Sequence, residues 1–360
     1  MNRSVNDGKE HVSTSTVSST VSSIALPTAS YTVSPTAPST TSEAGFSKFS
    51  KRNIFIGTSL IIIGLLWLFT LFSQPIQKAY TAANEFFKLS TNEQAIAADQ
   101  IAADAAVVYD IQSGEVLFYK NEKEKLPPAS TTKMMTALLA LEEIELNQRV
   151  GVGPEVTWVK RGESKVGLRP GQLLTWEELI AAMLLPSGND AARTIAVNIG
   201  MKYAKAGATR EEAYHTFVAK MNERAQKIGM HDTNFANPHG MDEYDHYSTA
   251  NDLALLAKEA MKDKRFRDIV KQEEFQFTEA ANGPGQEIIH NRNQLLQPES
   301  EHYYEGAIGI KTGFTDGAGY CLVSAAEQEG RQMIAVVLHS TKEQVWTDSR
   351  ILLEYGFDIK

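Results

Sequence analysis

Pro127-Pro128-Ala129-Ser130-Thr131-Thr132-Lys133-Met134-Met135 is the stretch around which the rest of the chain is organised. Two prolines end an extended segment. Ser130 then opens an apolar, helix-favouring run, and Lys133 comes three residues later. Positions i and i+3 share a helix face, so this hydroxyl and this amine can point into one cleft. An amine beside a serine hydroxyl is a way to make a serine nucleophile without histidine. Met134, Ala137, Leu138 and Leu141 recur at helical spacing, which predicts a buried helix over 130–145.

Upstream, 105–110 (AAVVYD) and 115–120 (EVLFYK) flank Gln112-Ser113-Gly114. Two β-rich runs around a Ser-Gly turn predict a hairpin. Downstream, 150–174 reads as short strands and loops. Thr175-Trp176-Glu177-Glu178 is a capping box for a helix to Leu185, which Pro186 stops. Ser187-Gly188-Asn189 forms a tight loop, and Asp190 leads into a helix ending near Gly200. Further helices are predicted over 210–227 and 249–261, with a polar loop over 230–246. Segments 306–311, 319–326 and 332–339 suit adjacent strands, and a helix over 346–355 closes the chain. Strands at both ends with helices between them predict an α+β fold: an antiparallel sheet flanked by helices, with an inserted helical subdomain.

The chain has 360 residues, 42% hydrophobic and 22% charged, with a net charge of −9. These are globular values. No basic stripe is present, so a nucleic-acid partner is not expected. Cys321 is the one cysteine, which excludes an intramolecular disulfide. Residues 1–45 are mostly Ser, Thr, Val, Pro and Ala. They have too few large apolar side chains to offset ordering entropy and read as disordered. Ile54 to Phe72 (IFIGTSLIIIGLLWLFTLF) carries no charge. About 19 residues at ~1.5 Å each match a bilayer's hydrocarbon core. Lys48, Lys51 and Arg52 precede it, so the positive-inside rule puts the N-terminus in the cytoplasm and everything after Phe72 outside. The expected organisation is a cytoplasmic tail over 1–53, an uncleaved transmembrane helix over 54–72, a stalk over 73–100 and a globular domain over 101–360.

Three short motifs occur in order: Ser130-Thr131-Thr132-Lys133, Ser187-Gly188-Asn189 and Lys311-Thr312-Gly313. The first stands at a helix start, the second in a loop between helices, the third at a predicted strand end. S-x-x-K, S-D-N and K-T-G together are the signature of β-lactamases and penicillin-binding proteins. From about residue 102 onward the chain resembles the low-molecular-mass penicillin-binding proteins, specifically the serine-type D-alanyl-D-alanine carboxypeptidases. EKLPPASTTKMMTALLALE, MLLPSGNDAA, MHDTNFANPHGMDEYDHYSTANDLALLAKEAM and GIKTGFTDGAG carry that resemblance.

The resemblance implies a β-lactamase/penicillin-binding transpeptidase-like fold, peptidoglycan stem peptides as substrate, and β-lactams as covalent inhibitors. It implies that Ser130 attacks the carbonyl between two terminal D-alanines and that Lys133 takes the serine proton. A base of this kind is a lysine held neutral, which desolvation and a neighbouring cation, Lys311, would favour. Ser187 would pass a proton to the leaving amine, and Asn189 would orient Lys133 and the substrate amide. Backbone N–H groups of Ser130 and Phe314 would form the oxyanion hole. Lys311 and Thr312, with Gly313 completing the motif, would hold the substrate carboxylate. No metal or other cofactor is implied.

Two features depart from the family pattern. Many members carry a carboxylate-binding arginine shortly before the final helix, whereas Thr341-Lys342-Glu343-Gln344-Val345-Trp346 has none. Lys342 and Arg350 are the candidate substitutes. Members also often continue into a small β-domain and an amphipathic anchor. This chain stops at Lys360, so the N-terminal span is expected to do the anchoring. His231, Asp232, His239, Asp242, Asp245 and His246 form a metal-like cluster, but Asn237-Pro238-His239-Gly240 is a turn context, and the cluster reads as a structural loop. Two other readings compete. A β-lactamase would need a glutamate-activated water; no glutamate motif is evident after Ser187, and Gly188 stands where those enzymes have aspartate. The other is a non-catalytic cell-wall-binding protein that kept the fold.

Overall fold

The computed structural model describes residues 96–278 and 288–359. The predicted tail, the transmembrane span and most of the stalk lie outside the described residues. Among the described residues no helix is long and apolar enough to cross a membrane.

Strands β1 (Ala105–Asp110) and β2 (Val116–Lys120) form the predicted antiparallel hairpin. Asp110 Oδ1 accepts from the Gln112 and Ser113 backbone N–H groups at 2.8 and 3.1 Å, closing the turn. A 3-10 turn over Ala129–Thr132 leads directly into α1 (Lys133–Glu143). The predicted α-helix from Ser130 thus begins three residues late: the preceding turn closes with i→i+3 bonds, and the Thr131 and Thr132 hydroxyls donate to the Pro128 and Ala129 carbonyls three residues back. Next come β3 (Arg149–Gly151), β4 (Leu173–Thr175), α2 (Trp176–Leu184), α3 (Asn189–Tyr203), α4 (Arg210–Lys227), α5 (Ala250–Ala260) and α6 (Lys264–Val270). Helix α6 was not predicted, since its charged sequence shows little periodicity. Asp263 caps it by accepting from Arg265 N at 2.8 Å. The capping box of α2 forms as predicted, Thr175 Oγ1 accepting from Glu178 N and Glu178 Oε2 from Thr175 N.

A small ladder of β5 (Glu274–Gln276) and β6 (Ile288–His290) precedes β7 (Ala307–Thr315), β8 (Gly319–Gln328), β9 (Arg331–Ser340) and α7 (Gln344–Asp358). The main sheet has the order β2-β1-β9-β8-β7 and is antiparallel throughout. Both of its faces are covered, which is why β1 is buried along its whole length. Alternate residues face opposite sides of a strand. Val107, Val323 and Val336 accordingly join the core under the helical block, with Met134, Leu141 and Leu253. Val108, Leu322 and Val337 join a second core with Leu352 and Leu353 of α7.

This packing sets the depth of both motif lysines. Helix α1 is buried from Lys133 through Leu141, so Lys133 lies inside the first core rather than beside it. Lys311-Thr312-Gly313 lies in the middle of β7, not at the strand end predicted, because pairing with β8 continues to Thr315 opposite Gly319.

Candidate active site

A cavity of about 450 Å³ opens where the start of α1, the start of α3 and β7 converge. Ser130, Ser187, Asn189, Thr312, Gly313 and Phe314 all line it. Lys133 and Lys311 lie just behind the lining, 0% and 1% exposed.

The Lys133 amine makes three short contacts. Nζ is 2.8 Å from Ser130 Oγ, and it donates to Asn189 Oδ1 at 2.7 Å and to the His239 carbonyl at 2.6 Å. Burial pushes the amine well below the usual lysine range, and the charges of Lys311, Arg193 and Arg292 push the same way, against Glu163. A neutral amine has two protons and one lone pair. Two of its neighbours accept only, so they take both protons and the lone pair is left for the Ser130 hydroxyl.

The serine turn is held by its own threonines. Thr131 Oγ1 donates to Pro128 O at 2.7 Å and Thr132 Oγ1 to Ala129 O at 2.8 Å. His246 braces the turn from outside. Its Nδ1 accepts from Ala236 N at 2.9 Å, which leaves the ring proton on Nε2, 2.9 Å from Thr132 Oγ1. Burial lowers this imidazole to about 4, so it stays neutral.

The loop read from sequence as merely structural supplies a site atom. Asn237 Oδ1 accepts from His239 N and Gly240 N at 3.2 and 2.6 Å, and Asn237 Nδ2 donates to Met241 O at 2.9 Å. This closed turn aims the His239 carbonyl at Lys133. Gly240 has φ +89°, and a Cβ there would fall 1.8 Å from Ala129 O, so only glycine lets the turn rest against the serine. The His239 ring, held neutral by burial, sits 3.3 Å from Tyr214 OH. Asp242 joins the same loop to the end of β7, accepting from Thr315 Oγ1 at 2.6 Å and Gly317 N at 3.1 Å.

Ser187 is held at φ +69°, and its buried Oγ has no hydrogen-bond partner among the described residues. A buried hydroxyl without a partner from the chain, lining a cavity, is free to bond a water or a ligand group. Across the cavity, Lys311 Nζ donates to Thr312 O at 2.9 Å. Burial, then the charge of Arg292, lowers Lys311 to about 7. A Cβ on Gly313 would stand 3.1 Å from Ser130 N. Glycine is therefore what lets β7 approach the serine and sets the Phe314 backbone beside it. The Phe314 ring is 51% exposed and lies against Tyr320 with centroids 4.4 Å apart.

Three residues of the site were not identified from sequence: Glu163, Arg193 and Arg292. Glu163 accepts from Asn189 Nδ2 at 2.8 Å and pairs with Arg193. Arg292 lines the cavity, and its side chain has no carboxylate partner among the described residues, burial being what lowers its pKa. The two expected substitutes for the absent arginine do not line the cavity. Arg350 instead donates to Glu301 O at 3.4 Å and lies 3.9 Å from Glu354.

A buried lysine on the oxygen of a helix-start serine, with a second buried lysine across the cleft on an antiparallel sheet, defines the class of serine–lysine active-site peptidases. A family model described as D-alanyl-D-alanine carboxypeptidase (peptidase S11) matches residues 92–342, and the chain belongs to that family. It is 33% identical over 261 residues to the D-alanyl-D-alanine carboxypeptidase DacF of Bacillus subtilis, a match covering 71% of this chain and 62% of that one. The chain thus spans somewhat under two thirds of that relative's length. The crystal structure of the Streptomyces K15 DD-transpeptidase superposes with a TM-score of 0.65 at 33% identity, over 71% of this chain and 97% of that chain. Penicillin-binding protein D2 of Listeria monocytogenes, solved in its ampicillin-bound form, has a TM-score of 0.59 at 28% identity, over 71% of this chain and 98% of that one.

Proposed function

We propose that this chain is a serine-type D-alanyl-D-alanine carboxypeptidase that removes the terminal D-alanine from peptidoglycan stem pentapeptides. The observation that carries this reading is the buried amine of Lys133, 2.8 Å from Ser130 Oγ with both its other neighbours accepting. Ser130 Oγ attacks the carbonyl carbon of the last peptide bond as Lys133 Nζ takes the hydroxyl proton. The developing oxyanion is held by the N–H groups of Ser130 and Phe314. The C–N bond breaks, Ser187 relays a proton to the departing amine, and free D-alanine leaves an ester on Ser130. Water hydrolyses that ester and restores the serine. A β-lactam enters the same first step, but its leaving amine stays tethered to the acyl group, so the ester persists.

The substrate's terminal carboxylate is gripped by Thr312 and Arg292, with the charge of Lys311 behind them. Arg292 takes the place of the arginine absent before α7. Losing a charge-assisted hydrogen bond costs about 1.5–3 kcal/mol. Arg292→Ala is therefore expected to raise KM for a pentapeptide roughly 10- to 100-fold, with kcat changed far less. Amidation of the terminal carboxylate should erase the difference between variant and wild type. An unchanged KM would remove Arg292 from the grip.

The lysine beside it sets the alkaline side. Lys311 loses its charge as pH climbs through about 7 in the free protein. The grip is then present below that pH and weakens above it, so kcat/KM is expected to fall from about pH 7 upward through a rising KM. A flat KM on the alkaline side of neutrality would contradict this role for Lys311.

The charge-free 54–72 segment, preceded by Lys48, Lys51 and Arg52, supports the reading that the catalytic domain is tethered on the outer side of the membrane. Peptidoglycan lies on that side. The deciding experiment is release of D-alanine from a pentapeptide, measured together with turnover of bound penicillin. Release with slow penicillin turnover supports the reading. Rapid penicillin hydrolysis would make the chain a β-lactamase, and no release with no acylation would make it a binding protein.

A further inference from the structure

We propose that Glu163 and Arg193 act as a positioning pair for the general base, fixing the orientation of the Asn189 amide so that the lone pair of Lys133 is aimed at Ser130. This rests on the reading of Ser130 as nucleophile and Lys133 as its base.

Both side chains are buried, Arg193 at 6% exposure and Glu163 at 3%. Each carboxylate oxygen is doubly occupied. Glu163 Oε2 accepts from Asn189 Nδ2 and Arg193 Nη1, both at 2.8 Å. Glu163 Oε1 accepts from Arg193 Nη2 at 3.1 Å and Lys160 N at 3.0 Å. Asn189 opens α3 and Arg193 comes one turn later, so both reach the same carboxylate from one helix face. The loop that brings Glu163 there is pinned by Asp190, which accepts from the N–H groups of Val166, Gly167 and Leu168 at 3.1, 2.8 and 3.0 Å.

An amide has an accepting end and a donating end. A carboxylate only accepts, so Glu163 holds the Nδ2 end of Asn189, and Oδ1 must then face Lys133. The flipped amide would set Oδ1 against a carboxylate oxygen and present N–H groups to Nζ. The lone pair of the lysine would turn toward that amide, and an N–H would turn toward Ser130, the wrong polarity for a base. Glu163 thus selects between two arrangements of the same atoms. Its negative charge alone would favour protonation of Lys133. Arg193 neutralises that charge, so the orientation is fixed at little cost to the base.

The same geometry argues against Glu163 as a base for deacylation. All four of its contacts are donors, and those from Arg193, Asn189 and the Lys160 N–H hold the carboxyl below its usual range despite its burial. It is a poor proton acceptor with both oxygens engaged.

Other charged or titratable groups face Lys133 from the elements packed around it. Lys311 comes from β7, Arg292 from the segment after β6, and His239 and His246 from the loop before α5. Tyr214 of α4 stands behind His239. These are unchanged by substitutions at 163 and 193, so the pH dependence of acylation reads the pair.

The test uses the full chain and the rate of Ser130 acylation by a fluorescent penicillin as a function of pH. Glu163→Gln is expected to lower the plateau rate about 10- to 100-fold, as misorientation of a reacting group does, and to move the acid limb to lower pH. Arg193→Gln is expected to move the acid limb to higher pH. The double variant removes the unpaired cation that endangers folding of Glu163→Gln. It should bring the limb back toward wild type while the plateau stays low, separating charge from orientation. Limb shifts of opposite sign are not produced by general structural damage. Limbs that stay in place in both single variants would overturn the proposal. So would a Glu163→Gln protein that acylates normally and fails only to deacylate. A wild type that acylates with the expected pH shifts in its variants, yet releases no D-alanine, would overturn the carboxypeptidase reading and leave the positioning pair standing.

Discussion

The Ser130→Ala protein is expected to release D-alanine from a pentapeptide at a rate lower by on the order of 10⁴-fold or more, the scale seen when a serine nucleophile is removed from a working constellation. It should also lose all covalent labelling by fluorescent penicillin, since no other described hydroxyl lining the cavity has an amine as close as the 2.8 Å of Ser130: Ser187 Oγ has no partner among the described residues, and Thr312 Oγ1 lies 3.4 Å from Lys311 Nζ, which donates to the Thr312 carbonyl at 2.9 Å. The fold should survive. Ser130 gives up only its contact with Lys133 and a long 3.5 Å one with the His239 carbonyl. The turn itself is held by Thr131 and Thr132, so the midpoint of thermal unfolding should move by only a few degrees. Residual D-alanine release equal to wild type would show that another group is the nucleophile. Lost release with a collapsed midpoint would show instead that Ser130 is structural.

Spacing made the Ser130–Lys133 pair legible, and the family resemblance of the Ser187-Gly188-Asn189 and Lys311-Thr312-Gly313 motifs named distant residues that line the same cavity, but the contacts that join and orient them were not legible. Ser130 and Lys133 are one turn apart, so periodicity alone puts them on one face. The β1–β2 hairpin was legible because its runs and its turn are contiguous. The three C-terminal strands were legible as apolar runs, since both faces of the sheet are covered. What failed had physical reasons. The His239 carbonyl contacts Lys133, but a backbone atom has no residue type to read; only Gly240, forced by close approach to Ala129, hints at it. Glu163 and Asn189 are 26 residues apart across an irregular loop, and no period links them. The glutamate at the site, Glu163, precedes Ser187 in the chain, and no motif marks it. Arg292 could not be chosen over Lys342 or Arg350 until packing showed which one lines the cavity. The depth of Lys311 was invisible too, because a lysine in mid-strand reads as a solvated end until both neighbouring layers are known.

The second large effect belongs to Lys133. Lys133→Met keeps most of the side-chain volume and removes the base, and acylation of Ser130 is expected to fall about 10³- to 10⁴-fold, the upper range for a positioned general base. Its effect on stability is a sharper test than its effect on rate. The substitution leaves Asn189 Oδ1 and the His239 carbonyl short of a donor, at about 1–3 kcal/mol for each acceptor that finds no water. It also removes an amine whose folded state is held well below the usual lysine range by burial and by Lys311. Between that lowered value and the ordinary one, the unfolded chain binds a proton that the folded chain does not. Stability of the wild type therefore rises with pH across this window, by up to about 1.4 kcal/mol per pH unit for one such group. Lys133→Met lacks the contribution. Lys311, lowered to about 7, supplies a similar slope to both proteins and cancels in the comparison. The variant should then lose ground to wild type steadily from neutral pH to about pH 10 in denaturant titrations. Parallel stability curves would mean that Lys133 is already an ammonium in the folded protein at neutral pH. All three of its contacts would then be donated bonds, with no lone pair left for the serine, and Ser130 would need a different base.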